Sequence, residues 1–293
     1  MLGALIGDCV GSFWEFSGNK DPNIPLWVPA CHFTDDSVCT GATAQWLLKG
    51  GDYATLLHTQ AHMHLNRGFA KKMLEWAMAE TAGPAYGSWG NGSAMRVAPV
   101  ALAARSLDEA LEWAKQTAEV THNHPLAVKG AQATVFAIRH AIEFGRDNLL
   151  EQVEARFGYA GLSARHPPDE RAEHMFDVSC NGTVPLALAI AVKSGSFDET
   201  LRWCCSMGGD ADTLAAIAGP VAEMLYGIPQ QHLHNVSLRF HPEDRIYEEV
   251  LELYRLPHVV EYLKAHHKIS EGHITHTTDA SGPEIGTLRY RFV

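Results

Sequence analysis

The sequence predicts an all-α protein, a compact bundle of many helices, and three observations support this fold class. Apolar residues recur at three- and four-residue spacing in long segments rich in Ala, Leu, Met and Glu. Proline and glycine stand where such segments would start and end. Before residue 270, few runs show the alternation of Val, Ile and Thr that is typical of strands.

Five segments show the helical spacing most clearly, and polar stretches lead into several of them. Pro125 and Pro185 are expected in first helical turns, and Gly145 and Gly227 at helix ends. Polar residues gathered at one end of a bundle would form a cleft there. The helical segments are Ala42–Leu48, Leu107–Val120, Pro125–Phe144, Val184–Lys193 and Ala211–Tyr226; the polar stretches are His32–Ser37, Gly83–Ala94, Ser163–Glu173, Ser179–Thr183 and Met207–Asp212.

The chain of 293 residues exceeds the usual domain size but can still form one domain. It contains no internal repeat and no sign of a second domain. The composition changes near residue 257, first to a His-rich stretch, then to Thr, Ser and Gly, and finally to the alternating Thr287–Val293. We therefore predict one main domain over residues 1–256 and a C-terminal appendage over residues 257–293, which is compatible with a hairpin or with disorder.

Composition and charge indicate an ordinary globular protein. Hydrophobic residues make up 46% and charged residues 19% of the chain, and the net charge of −11 argues against direct nucleic-acid binding. The first sixteen residues lack the basic start of a signal peptide, and no stretch approaches the roughly 20 apolar residues of a membrane span. The six cysteines form no CxxC pair, which favours free buried thiols in a reducing compartment. We expect a cytoplasmic protein without a membrane partner.

Two acidic motifs precede helical segments. The first is Thr34-Asp35-Asp36-Ser37 and the second is Gly208-Gly209-Asp210-Ala211-Asp212-Thr213. Either motif alone is compatible with a helix cap, because Asp and Thr satisfy free N–H groups at helix starts. Together they supply four carboxylates and several hydroxyls, the hard oxygen ligands that suit Mg²⁺ or Mn²⁺. We therefore predict a dinuclear metal site, with two unrelated helix caps as the alternative.

A glycine-rich motif runs from Gly87 to Arg96. Glycines and small polar residues before a helix allow backbone N–H groups to approach phosphate oxygens closely, although a plain turn has the same composition. Trp89 within this motif can stack on a base or a ribose, or it can simply pack. The motif is therefore a candidate binding loop for a phosphorylated ligand.

Two isolated features are candidates for chemistry. Glu15 is a lone carboxylate among aromatic and small residues, where burial would raise its pKa and suit acid–base work. An ordinary hydrogen-bonded Glu is the alternative. His122 and His124 follow Thr121, and either ring can contact a substrate or serve as a structural histidine or helix cap.

In their order and spacing, these motifs resemble the ADP-ribosylglycohydrolase family. That family includes the enzyme that reactivates ADP-ribosylated dinitrogenase reductase and the human hydrolases acting on arginine- and serine-linked ADP-ribose. The resemblance covers roughly residues 1–230, and Ser37 departs from it by replacing the usual threonine while keeping the hydroxyl. The matching segments are GALIGDCVGSFWE, TDDS, GNGSAMRVAPVAL, THNHPLAVKGA and GGDADTLAAIAGPVAEMLYG.

The resemblance implies an all-α fold with two Mg²⁺ or Mn²⁺ ions at the base of a cleft. It implies that the catalytic residues are Glu15, Asp35, Asp36 and Asp212, and that the metal ligands are Thr34, Asp35, Asp36, Asp210, Asp212 and Thr213. The residues that it implies in ADP-ribose binding are Ser88, Trp89, Gly90, Asn91, Gly92 and His122 and, through a looser resemblance of Arg67-Gly68-Phe69, also Gly68 and Phe69.

The implied activity is metal-dependent hydrolysis of the glycosidic bond between ADP-ribose and a target. The expected partners are ADP-ribose and an ADP-ribosylated protein or small-molecule conjugate. The segment GDCVGSFWE is especially similar to the serine-linkage branch, whereas the segment THNHPLA is similar to bacterial relatives. The linkage that the enzyme cleaves therefore stays open. In the expected mechanism a water is oriented near the anomeric carbon at the metal pair, and Glu15 or a ligand carboxylate handles the proton.

Two alternatives to this function remain at the level of the sequence. One is a dinuclear-metal phosphohydrolase acting on a nucleotide, which would release phosphate instead of ADP-ribose. The other is a non-catalytic ADP-ribose-binding member of the fold. The second alternative predicts that metal carboxylates are missing, whereas all four acidic residues of the two motifs are present.

Overall fold

The computed structural model describes residues 1–266, 268, 274–275 and 287–288, and the all-α prediction is confirmed for them. One 3₁₀ turn, Pro242–Asp244, interrupts the helical succession. The helices are α1 Leu2–Gly11, α2 Asp35–Lys49, α3 Tyr53–Met63, α4 Lys71–Met78, α5 Gly92–Met95, α6 Ala98–Ala103, α7 Leu107–Glu119, α8 Pro125–Glu143, α9 Leu149–Phe157, α10 Pro167–Glu170, α11 Cys180–Lys193, α12 Phe197–Met207, α13 Ala211–Tyr226, α14 Gln230–Ser237, α15 Ile246–Leu253 and α16 Pro257–Ala265.

Helix α13 lies at the centre of the core. Every residue from Ala211 to Met224 is buried, and the helix packs against α1, α8, α11 and α12. A helix that is apolar on all sides belongs inside a protein. Its small residues leave room for several neighbours at once, so the acidic motif at its N-terminal end is surrounded by other helices.

Glycines bring α1 unusually close to α13. Gly3, Gly7 and Gly11 recur at four-residue spacing and therefore share one face of α1. A Cβ atom at Gly7 would lie 2.1 Å from a backbone oxygen of α13, and one at Gly11 would lie 2.3 Å from the Cα atom of Asp212. This contact places Asp8 of α1 beside the start of α13.

The starts and ends of several helices follow the expected capping chemistry. Thr34 is the N-cap of α2, and its hydroxyl accepts a hydrogen bond from the backbone N–H of Asp36. Ser179 caps α11 in the same manner. Gly145 and Gly227 follow α8 and α13 with φ angles of +69° and +75°, which confirms both predicted helix ends.

The prediction for Pro185 is wrong. Helix α11 begins at Cys180, so Pro185 lies inside the helix instead of in its first turn. Helix α2 also starts earlier than predicted, at Asp35 instead of Ala42. Proline lacks an N–H group and leaves the carbonyl four residues earlier, that of Asn181, without its helical partner. Asn181 is exposed, so water can satisfy that carbonyl. The cap at Ser179 sets the helix start.

The C-terminal part begins with helix α16, in which Val259 and Leu263 are buried in the core. Beyond it, Ile274–Thr275 pairs with Thr287–Leu288 as two short antiparallel strands, β1 and β2. Most of the predicted appendage after residue 268 lies outside the described residues. The domain boundary at residue 256 stays a prediction.

Two further findings concern the predicted environment of the protein. All six cysteines are buried and free, which confirms the prediction of thiols without disulfides. In the part of the chain that the structure describes, no helix is both long enough and apolar enough to cross a membrane.

Candidate metal centre and active site

A cleft of about 760 Å³ opens where the N-terminal ends of α2, α5 and α13 meet. Pockets of about 300–1,000 Å³ bind small molecules and cofactors. Three of the predicted polar stretches, 32–37, 83–94 and 207–212, supply lining residues, whereas 163–173 and 179–183 supply none. The predicted site residues that line the cleft are Glu15, Thr34, Asp35, Asp36, Gly68, Ser88, Trp89, Gly90, Asn91, Gly92, His122, Asp210, Asp212 and Thr213.

Gly68 and Phe69 are adjacent in sequence but lie in different surroundings. Gly68 lines the cleft at a φ angle of +92°, and a Cβ atom there would lie 3.5 Å from Oδ1 of Asp35. The ring of Phe69 is buried in the hydrophobic core and is absent from the cleft lining. The position of Phe69 therefore gives no support to its expected ligand contact, because its apolar ring packs with other core side chains.

Five carboxylates form two groups that share Asp212. Carboxylate oxygens of Asp8, Asp36 and Asp212 lie within 4.8 Å of one another, and so do those of Glu15, Asp210 and Asp212. Glu15 is half-buried and the other four are buried. Asp35, also half-buried, lines the same cleft without belonging to either group.

Threonine hydroxyls connect the two acidic motifs directly. The hydroxyl of Thr34 lies 3.3 Å from Oδ2 of Asp36 and 3.5 Å from Oδ2 of Asp212. The hydroxyl of Thr213 donates to Oδ2 of Asp36 over 3.4 Å, although these two residues are 177 positions apart in the sequence. The motifs at the starts of α2 and α13 therefore form one cluster of oxygen atoms.

Asp8 is a site residue that the sequence analysis missed. Its carboxylate accepts hydrogen bonds from the backbone N–H and the hydroxyl of Thr34, and from the same two groups of Ser37. These bonds hold the first turn of α2 against α1. The sequence analysis used this segment to argue against a signal peptide and to support the family resemblance, but it assigned no role to Asp8. The available signal was one charged residue within an otherwise apolar helical run.

Asn91 is engaged with a predicted metal ligand. Its side-chain amide donates to Oδ2 of Asp210 over 2.6 Å and to the hydroxyl of Thr183 over 3.1 Å. The backbone N–H of Asn91 donates to the carbonyl of Val178 over 2.8 Å. The glycine-rich loop is therefore anchored to both the acidic cluster and the segment before α11.

His122 packs beneath the glycine-rich loop. One ring nitrogen lies 2.8 Å from the hydroxyl of Thr121, and a Cβ atom at Gly92 would lie only 2.8 Å from Nε2. Burial, reinforced by the positive charge of Arg96, lowers the pKa of His122 well below its usual range. A neutral imidazole therefore supports the loop, and glycine at position 92 leaves space for it.

The acidic cluster has strongly perturbed protonation. Burial, together with the negative charge of the neighbouring Asp210 carboxylate, raises the pKa of Glu15 to about 7. Burial likewise raises the carboxyl pKa of the remaining acidic residues of the cleft and its base, which are Asp8, Asp35, Asp36, Asp210 and Asp212.

The donor set fits divalent cations. Among the described residues, no Lys, Arg or His forms an ion pair with these six carboxylates. Oδ1 of Asp36 is buried without a hydrogen-bond partner. An unpaired buried carboxylate oxygen is costly unless a cation compensates for it. Because every donor is a hard oxygen atom, Mg²⁺ and Mn²⁺ suit the cluster better than zinc.

Comparison with known proteins agrees with this geometry. The family model described as ADP-ribosylglycohydrolase matches residues 1–262. The chain belongs to the ADP-ribosylglycohydrolase family. As a member, it is a hydrolase that cleaves the glycosidic bond of ADP-ribose, which confirms the function implied by the sequence motifs. The finding favours this activity over the phosphohydrolase and non-catalytic alternatives.

Individual relatives show how far the similarity extends. ADP-ribosylhydrolase ARH3 of Homo sapiens is 28% identical over 308 residues, covering 78% of this chain and 85% of that protein. ADP-ribosyl-[dinitrogen reductase] glycohydrolase of Rhodospirillum rubrum is 32% identical over 184 residues, covering 61% of this chain and 60% of that protein. A solved structure described as an ADP-ribosylglycohydrolase-related protein complex has a TM-score of 0.63 at 24% identity and covers 87% of this chain and 95% of its own, which shows a shared fold.

Proposed function

We propose that this ADP-ribosylglycohydrolase uses two divalent ions, Mg²⁺ or Mn²⁺, to release ADP-ribose from a modified protein or a small conjugate. The observation that carries the proposal is the pair of carboxylate groups that share Asp212. Each group places three carboxylate oxygens beside a cleft large enough for ADP-ribose. Asp36, Asp210 and Asp212 are the proposed ligands among them, whereas we propose other roles for Asp8 and Glu15. The names of the relatives support ADP-ribose as the released group and leave the acceptor open.

The ligands proposed for the two ions come from both acidic motifs. When bound, a divalent ion lowers the pKa of a coordinated water and stabilises negative charge in the transition state. Asp8 would hold Thr34 and Ser37 in place through its hydrogen bonds to both residues. The proposed ligands are Thr34, Asp35, Asp36, Asp210, Asp212 and Thr213.

Glu15 is proposed to handle the proton of the attacking water. Its carboxylate lies within the group that includes Asp210 and Asp212, which places it beside the proposed ions and the water that they would hold. Water forms a bond to the anomeric carbon, the glycosidic bond breaks, and one proton passes from the water to the leaving group. Asp35, Asp36 or Asp212 would take the proton role if Glu15 does not.

ADP-ribose is proposed to lie along the glycine-rich loop. Ser88, Gly90 and Gly92 line the cleft with little side-chain bulk, and the exposed Trp89 ring offers a stacking surface. Asn91 and His122 would keep this loop in place through the contacts described above.

A second part of the cleft wall is proposed to contact the diphosphate. Gly68 lines the cleft close to Asp35. The basic side chains Arg67, Lys71 and Lys72 also line the cleft and can pair with phosphate oxygens. Arg67 belongs to the loop that loosely resembles the family's diphosphate-facing loop, whereas the sequence analysis did not point to Lys71 or Lys72.

The predicted cytoplasmic location and the absence of nucleic-acid binding stay predictions. The free buried cysteines support a reducing compartment. The net charge of −11 supports the absence of nonspecific nucleic-acid binding, since such binding needs clustered cations.

The proposal is tested by incubating wild-type protein and Glu15→Gln with arginine-linked, serine-linked and O-acetyl ADP-ribose, each with chelator and then with Mg²⁺ or Mn²⁺. We expect ADP-ribose release from at least one conjugate, only with the metal, and a loss of about 100-fold or more in kcat for Glu15→Gln. The exposed Glu119→Gln serves as the matched control. Release of phosphate instead of ADP-ribose, or full activity with chelator, would contradict the proposal.

A further inference from the structure

Large apolar side chains are exposed beside the cleft. Phe16 is 76% exposed and Met175 is 79% exposed, and Phe176 and Val178 are also exposed. Phe16, Phe176 and Val178 line the cleft, and Met175 adjoins Phe176. We name these four residues the apolar rim. Exposed apolar patches of this kind mark interaction surfaces on proteins.

Phe16 combines an unusual backbone conformation with an exposed ring. Its φ angle is +58°, in the left-handed region that bulky L residues rarely adopt. Its ring stacks on Phe176 with a centroid distance of 5.3 Å and an interplanar angle of 12°. Backbone strain of this kind concentrates at functional sites, because the surrounding structure must hold it.

The rim is fixed relative to the acidic cluster. Lys20 donates to the carbonyl oxygens of His174 and Met207 and so ties the segment after Phe16 to the two loops beside it. A Cβ atom at Gly209 would lie 3.0 Å from the Cα atom of Phe176, so the rim also packs on the loop that carries Asp210. These contacts hold the apolar rim in place beside the loop that carries Asp210.

We infer that the apolar rim docks the polypeptide that carries ADP-ribose and contacts apolar residues beside the modified side chain. The inference rests on the proposed function. Phe16 directly follows Glu15, and both line the cleft. If Glu15 acts at the scissile bond, as proposed, the group on the far side of that bond would leave the cleft next to the rim. A polypeptide acceptor would extend from the cleft over the apolar rim, whereas a single amino acid is too short to reach the rim.

The test compares three substrates of one linkage: an ADP-ribosylated peptide with Leu and Phe flanking the modified residue, the same peptide with Ser and Asn flanks, and the single-amino-acid conjugate. The variants are Phe16→Asn, in which Asn tolerates the left-handed backbone, and Met175→Ser. Phe144→Ser and Leu238→Ser, which are similarly exposed outside the cleft lining, are the controls.

We expect wild-type protein to prefer the apolar-flanked peptide by about tenfold in kcat/KM, as burial of one or two apolar side chains allows. Phe16→Asn and Met175→Ser should remove most of that preference. Each variant should cleave the single-amino-acid conjugate with a kcat/KM within about twofold of the wild-type value, a small change beside the tenfold preference. Both control variants should behave as wild type.

If the rim variants lose kcat/KM equally on the peptide and on the single-amino-acid conjugate, the inference is overturned, because the rim would then contact ADP-ribose or position Glu15. An unchanged preference would overturn it as well. If no conjugate is cleaved at all, the proposed function fails, and fluorescence anisotropy of the labelled peptides in chelator still tests the rim. Equal affinity for both peptides in that measurement would also contradict docking.

Discussion

Asp8 holds the acidic cluster together without being part of either acidic motif. Its Oδ1 accepts hydrogen bonds from Thr34, and its Oδ2 accepts from both Thr34 and Ser37, the two residues that flank Asp35 and Asp36. Partners that orient metal ligands in this manner affect metal affinity strongly when they are lost. The side chain of Asp8 is therefore expected to set the geometry of the first turn of α2.

We predict that Asp8→Asn lowers Mg²⁺ or Mn²⁺ affinity by about 10- to 100-fold. An amide offers one acceptor oxygen, and its NH₂ group would face donors of Thr34 and Ser37. Isothermal titration calorimetry measures the affinity, and circular dichroism should show unchanged helicity. Asp52→Asn, at the exposed cap of α3, is the control. Wild-type affinity in Asp8→Asn would contradict this role.

The residues of the two acidic motifs were predictable from sequence because several hard ligands stand side by side in each motif. Asp8 was not, since its role depends on α1 packing against α2 and α13. The side chain of Phe69 was hard to place for a similar reason, because a short loop resemblance does not say which neighbouring side chain points into the core. Local chemistry is visible in the sequence, whereas partners across the fold are not.

At the level of helices, the packing of α1 on α13 positions the cluster. Asp8 lies on α1 and Asp212 on α13, and the contact between the helices depends on glycine at the face of α1. The sequence indicated α13 clearly through its alanines, but residues 2–11 were not among the predicted helical segments and entered only through the signal-peptide argument and the family resemblance. Helix α1 is entirely buried, so it shows no polar face by which an amphipathic pattern would reveal it.

We predict that Gly11→Ala destabilises the protein by about 1–3 kcal/mol, the usual range for overpacking. The added Cβ atom would lie 2.3 Å from the Cα atom of Asp212, so α1 and α13 must separate. Activity should fall together with the free energy of unfolding, measured by urea denaturation. Gly83→Ala, where the nearest atom is 3.7 Å away on Trp76, is the control. Unchanged stability and activity in Gly11→Ala would contradict the packing account.

For the whole molecule, the acidic cluster couples stability to pH and to metal. Burial raises the carboxyl pKa of the cluster, and that of Glu15 to about 7. Between the unfolded pKa values near 4 and these raised values, the folded protein binds more protons than the unfolded chain. The stability of the metal-free protein therefore falls as pH rises through this window, and a bound cation offsets the loss.

We predict that Mg²⁺ raises the melting temperature by several degrees at pH 8 and by much less at about pH 5.5, where protons compete for the carboxylates. Thermal unfolding in chelator and in excess Mg²⁺ measures both shifts. Asp212→Asn, which removes the shared carboxylate, should abolish the difference between the two pH values. An equal Mg²⁺ shift at both pH values would show that the ion binds elsewhere.

The most direct measurement is the number of Mn²⁺ ions bound per chain, determined by equilibrium dialysis alongside the rate of ADP-ribose release. We predict two ions per wild-type chain, with activity appearing as they bind. In Asp212→Asn we predict that ion binding is lost and that the rate of ADP-ribose release falls by about 100-fold or more. Full activity of the metal-free protein, or two bound ions and a wild-type rate in Asp212→Asn, would contradict the two-ion site.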